Sequence, residues 1–180
     1  MNKKLIFAVL TVLIIVALLC SACVPNDQDD DQDILALCEN ISDAKSATQV
    51  ITVKSGSDEL AKETRNYDFV AGKVTIERKT LNDSSADELY TTTTETKDIS
   101  GKATVKLTKD LLKDVTETAT TLKATVSNAN LNEAFGIASS DVQGDAKVEF
   151  TAQGNHIVSI TVSYTSANGN AVQIVTTYVY

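Results

Sequence analysis

Residues 146–180 constrain the fold more than any other part of the chain. AKVEFTA, HIVSITVSYT and AVQIVTTYVY alternate apolar and polar side chains and are rich in β-branched residues. A period of two puts the apolar set on one face of a sheet. The breaks between them are Gln153-Gly154-Asn155 and Ala167-Asn168-Gly169. A two-residue Asn-Gly turn at the second break would set Gln173 opposite Tyr164, on the face of Val158, Ile160 and Val162. A three-residue loop with Gly169 left-handed instead pairs Tyr164 with Val172, Val162 with Ile174 and Ile160 with Thr176. The three-residue loop, with a bulge at Gly169, is the register predicted.

Similar patterns precede these strands. ATQVITVKS (47–55) reads as a strand. NYDFVAGKVTIERKT reads as a hairpin turning at Ala71-Gly72, with Phe69 opposite Val74 and Tyr67 opposite Ile76. ELYTTTTETKDI (88–99) and KATVKL (102–107) read as a pair turning at Ser100-Gly101. Thr108 is placed to cap a short helix carrying Leu111, Leu112 and Val115, and TLKATVS (121–127) returns to strand. In NLNEAFGI, Asn130 is the N-cap of a second short helix, Glu133 its N3 residue and Gly136 its stop. An N-terminal helix is expected where Ile34, Leu37, Cys38 and Ile41 recur at helical spacing behind Asp33. The sum is an α+β fold: a curved, mostly antiparallel sheet of about nine strands in meander order, with that N-terminal helix and one or two short ones.

Of the 180 residues 43% are hydrophobic, there is no Trp, and the formal charge is −8. Loss of Lys3 and Lys4 with a leader would deepen the deficit to −10. A chain this acidic repels phosphate backbones, so nucleic acid is not an expected partner.

Residues 1–33 carry a different signal. Asn2, Lys3 and Lys4 precede a run from Leu5 to Leu19, 15 residues broken only by Thr11. A spanning helix needs about 20 apolar residues, whereas about 7–15 suit a signal-peptide core. Cys20, Ser21, Ala22 and Cys23 follow. This arrangement resembles a bacterial lipoprotein precursor, in which a Leu-like residue and two small residues precede the acylated cysteine. Cys20 departs from the Leu of that pattern. The alternative acceptor, Cys20, would put the bulky Leu19 next to the cut. The resemblance therefore implies cleavage before Cys23 and diacylglycerol on its sulfur, with two or more acyl chains giving firm anchorage. An uncleaved anchor from Leu5 to Val24 and a plain secretory signal are the other readings.

Asp27, Asp29, Asp30, Asp31 and Asp33 then form a self-repelling segment, read as a tether. As a calcium loop it fails, because Gln32 and Cys38 stand where Gly and Glu are needed. The expected organisation is a signal peptide at 1–22, an acylated Cys and acidic tether at 23–33, and one β-rich domain at 34–180. Cys38 is then a lone thiol on an apolar face, expected to be buried. Without lipidation, a Cys23–Cys38 disulfide is open to it.

The order of elements behind a lipoprotein signal is similar to that of the LolA/LppX-like half-barrel lipoproteins. That resemblance implies a curved sheet wrapped around helices, with an apolar cavity for lipid. A lipocalin-like barrel and a cystatin-like sheet are the rival architectures. Catalytic, cofactor and metal constellations are missing from the sequence. The single histidine, His156, sits beside a turn and is expected to be solvated. One His cannot build the usual zinc site, and no G-x-S-x-G, H-E-x-x-H or phosphate loop is present. Asp58-Glu59 and Asp87-Glu88 read as solvated charges.

The expectation is a lipid-anchored protein on the extracytoplasmic face of the cell membrane. It would be a non-catalytic binding or carrier module for an apolar ligand such as lipid. The alternative is a structural or protein-interaction lipoprotein with a filled core, meeting an envelope partner. An enzyme would need a cleft gathering His156 with two other polar groups.

Overall fold

The computed structural model describes residues 33–82, 89–99, 105 and 107–180. They form one antiparallel sheet of nine strands: β1 (Ser46–Ser55), β2 (Asp58–Asp68), β3 (Lys73–Leu81), β4 (Tyr90–Asp98), β5 (Leu112–Glu117), β6 (Thr121–Val126), β7 (Val142–Gln153), β8 (His156–Ser166) and β9 (Ala171–Val179). The spatial order is β4-β3-β2-β1-β9-β8-β7-β6-β5. Two meanders therefore meet at β1 and β9, and the sheet is open, with β4 and β5 at its edges.

One face is apolar over most of its width. Val162 stands between Val148 and Ile174, and Phe150 between Leu122 and Ile160. Phe150, Leu122, Val126 and Ile157 are fully buried, each worth about 1.5–3 kcal/mol relative to exposure. Residues Ala36–Asp43 cover them as a 3-10 helix that packs on β8. The opposite face is polar. Thr96, Thr75, Asn66, Thr48, Thr177, Ser159, Thr151 and Thr121 stand side by side in one row across eight strands. Thr suits such a row because it is a strand former with a hydroxyl for water.

The C-terminal register is as the sequence predicts. Tyr164 pairs with Val172, Val162 with Ile174 and Ile160 with Thr176. The Gly169 N–H donates to the Ser166 carbonyl at 2.8 Å, and Gly169 has φ +81°. A short α-helix, α1 (Leu131–Phe135), ends at Gly136 in the left-handed conformation. Asn130 precedes α1 but makes no side-chain capping bond.

Four expectations are corrected. The N-terminal α-helix does not form. Leu35, Cys38, Ile41 and Ala44 are buried at a period of three, which matches the 3-10 turn and its eclipsed i, i+3 side chains. The hairpin at 69–74 is shifted by two residues: Tyr67 pairs with Val74 and Asp68 with Lys73. Asp68 Oδ1 accepts from the N–H groups of Val70 and Ala71 at 3.0 and 2.8 Å, which stabilises a four-residue loop. β4 pairs with β3. Within 102–107 the described residues, Val105 and Leu107, are not in a strand but pack on the core. The helix expected after Thr108 is a single 3-10 turn, Lys109–Leu111, followed by β5.

Gly169→Ala should cost about 1–3 kcal/mol in urea unfolding through backbone strain, since open space surrounds the new methyl. An unchanged midpoint would show that the loop does not need the left-handed residue.

Candidate functional site

The apolar face carries a cavity of about 460 Å³ beside the packed core. Its floor is the sheet: Ile160 and Val162 from β8, Ile174, Thr176 and Tyr178 from β9, and Gln49 from β1. Its other wall is α1 with the turn behind it, Asn132 to Ile137, and Val105 closes one side. Gly136 reverses the chain at the end of α1, and its N–H donates to the Asn132 carbonyl at 2.9 Å. Ile137 is thereby returned toward the sheet. The volume lies within the range of about 300–1,000 Å³ common for small-molecule sites. Two depressions of about 430 and 460 Å³ on the opposite face are of similar size. Lys147, Ser163 and Gln173 border both of these. Residue type separates the three: aliphatic and aromatic side chains supply most of the lining beneath α1, whereas charged, hydroxyl and amide side chains supply most of it in the other two.

The polar groups of the floor are ordered. Gln49 Nε2 donates to Thr176 Oγ1 at 3.2 Å across the floor. Burial holds the Tyr178 phenol above its ordinary range, so it faces the cavity as a neutral hydroxyl-bearing ring.

Next to the cavity the same face of the sheet changes character. Arg65 of β2 is the direct neighbour of Gln49, and Glu63 that of Ile51. Glu63 accepts from both Arg65 and Arg78, Arg78 also reaches Glu95, and Lys97 Nζ lies 3.0 Å from Glu95. The result is an alternating ladder, Arg65–Glu63–Arg78–Glu95–Lys97, over three strands. Burial pushes the Glu63 carboxyl up, but the hydrogen bonds from Arg65 and Arg78 outweigh it and hold the group below its ordinary range. The hydrogen bond from Arg78, with that from Lys97, lowers Glu95 likewise.

Several residues singled out in the sequence lie elsewhere. Cys23, the expected lipid acceptor, and the acids Asp27 to Asp31 are outside the described residues, as are Asp87 and Glu88. Asp33 Oδ1 accepts from the Leu35 N–H at 3.1 Å, and its other oxygen pairs with Lys109 Nζ at 2.9 Å. Cys38 is buried and unpaired, and burial pushes its thiol up to about 11. His156 is half-buried rather than fully solvated as expected. Its ring stacks on Tyr180 at 4.1 Å, and its Nδ1 is buried without a hydrogen-bond partner. Tyr180 is fixed in turn by its hydroxyl, which donates to the Ile157 carbonyl at 2.8 Å. Among the described residues no group of three His, Cys, Asp or Glu could hold a metal ion. No helix among them is long and apolar enough to cross a membrane.

The cavity could not be assembled from the sequence, because its two walls come from segments more than 80 residues apart, Gln49 and Asn132. The signal for the ladder was present in the charged positions of alternating strands, but it needed the register of β2 with β3 and β4.

No protein-family model matches the chain, and no curated protein matches it.

Two outcomes follow from these groups. Because Glu63 has a folded pKa below its ordinary 4.5, its contribution is present above that value and is lost as pH falls through the folded pKa. Urea midpoints should therefore drop more steeply from roughly pH 5 to 3 in the wild type than in Glu63→Gln. Parallel curves would exclude the ion pairs as the cause. Iodoacetamide at about pH 8 should modify Cys38 slowly in the native protein and rapidly in guanidinium, read from the mass of the Cys38 peptide. Equal rates would mean that the 3-10 helix opens freely.

Proposed function

We propose that the protein is a lipid-anchored, extracytoplasmic binding or carrier module for an apolar ligand such as lipid. The observation that carries this reading is the cavity of about 460 Å³ between α1 and the apolar face of the open sheet. The anchor would be diacylglycerol on Cys23, from the lipoprotein-like pattern of Cys20, Ser21, Ala22 and Cys23. Curvature of the sheet fits the topology. The 13 residues between Asp98 and Leu112 link opposite edges, and that many residues extend to at most about 45 Å. A flat sheet of nine strands is about 38 Å wide. The link also joins opposite ends of its edge strands, so the path is diagonal and longer. A curved sheet shortens it.

A filled-core interaction lipoprotein is the second reading. It is favoured by the seven largest fully buried side chains among the described residues, Phe150 to Val126 in size, which pack beside the cavity. Native mass spectrometry of the Cys23→Ala full chain, made in bacteria without detergent, separates the two. Lipid-mass adducts released on denaturation and lost in Ile174→Asp support a carrier. A bare mass that stays bare after incubation with bacterial lipid extract moves the reading to the interaction module. Incorporation of labelled palmitate into the wild type but not into Cys23→Ala tests the anchor separately.

A further inference from the structure

Resting on the carrier reading, we infer that the cavity takes a single amphiphile with an anionic head, its chain against Ile160 and Ile174 and its head on the guanidinium of Arg65. The register supplies the proximity. Arg65 is one strand from Gln49 on the same face, and neighbouring strands lie about 4.8 Å apart. The ladder covers Glu63 and leaves Arg78 and Lys97 its most exposed members. Glu63 is 18% exposed; Arg65 and Glu95 are about equally exposed at 35% and 36%, and Arg78 and Lys97 stand at 41% and 55%. Three cations meet two carboxylates, so this patch is net positive in a chain of formal charge −8.

The helix side of the cavity has the opposite sign. Glu133 lines it there, which disfavours an anion at that rim and orients the ligand toward Arg65. A guanidinium also matches carboxylate or phosphate oxygens with paired N–H donors. A purely structural ladder accounts for the ion pairs. It does not account for their placement on the apolar face beside the cavity.

The test uses the full chain with phosphatidylcholine vesicles carrying one of three C16 photoprobes: a diazirine fatty acid, the matching alkyl phosphate or the matching alcohol. Labelled peptides are identified by mass. The anionic probes should label residues 131–137 and 171–180 about tenfold more than the alcohol. The ratio of acid to phosphate then identifies the head. Arg65→Gln should remove that preference while leaving alcohol labelling unchanged. Glu63→Gln, which takes a competing carboxylate from Arg65 and Arg78, should raise anionic labelling, a gain that loss of structure cannot produce. Circular dichroism confirms that each variant folds. Equal labelling by acid, phosphate and alcohol, or no response to either variant, overturns the anionic head and leaves the carrier reading standing. No labelling of the cavity by any probe overturns both.

Discussion

The β1–β9 ladder is the contact on which the rest of the sheet depends. It pairs Ser46 with Val179 and continues without a register break to Lys54 and Ala171. Without it the chain would be two separate meanders, each with two open edges and an apolar face half covered. With it, the apolar positions of β1 and β9 align with those of β8 into one continuous surface. The cost is kinetic. Such contacts join residues more than 100 positions apart, and closing them is slow compared with forming hairpins. The hairpins on either side are local and can form first. The joining ladder then selects their common register, because a slip of one residue would turn Ala47, Gln49 and Ile51 to the polar face.

How much of this was legible depended on whether local chemistry and tertiary packing agreed. At β8 and β9 they do: the loop residue Gly169 and the apolar pairs Tyr164–Val172 and Val162–Ile174 demand one register. At the 68–73 loop, Gly72 drew attention to a tighter turn, but the Asp68 side chain bonds two backbone N–H groups and widens it. The error was two residues, so Tyr67, Val74 and Ile76 still share a face. β5 had no such signal. LKDVTE leaves Val115 exposed and places Asp114 at φ 51°, within the register break against β6. Its pattern was therefore neither that of a strand nor that of a covered helix. The 3-10 helix was misread because a period of three and a period of 3.6 share most positions over two turns, here Ile34, Leu37, Cys38 and Ile41.

The apolar face is divided between packing and vacancy, and the covering elements explain the division. The 3-10 helix is eight residues long and lies on β8. It fills the space over that part of the core, where its own Ile41, and Ile34 just before it, are fully buried. α1 is only five residues long and faces the sheet with Phe135 and, past its cap, Ile137. So short a helix cannot close the area over β9 and β1. Lengthening it is prevented by Gly136, whose left-handed turn sends the chain back to β7. The cavity is thus a consequence of where α1 stops.

Beyond the cavity the face is mixed: Val74 and Ile76 of β3 stay buried on it, and the ladder places charged partners around them. Cross-strand ion pairs on an exposed surface contribute little stability each, so their value on β2 to β4 is not in holding the sheet together. They let a sheet whose other half is buried end in water without leaving an apolar shelf that would aggregate. The same substitution of charge for hydrophobe places one cation, Arg65, a single strand from the cavity. A surface largely aliphatic on one side and charged on the other can discriminate by charge as well as by shape. That polarity follows from the order of strands: β1 belongs to the cavity, β2 to the ladder, and the pair Gln49–Arg65 is where the two environments meet.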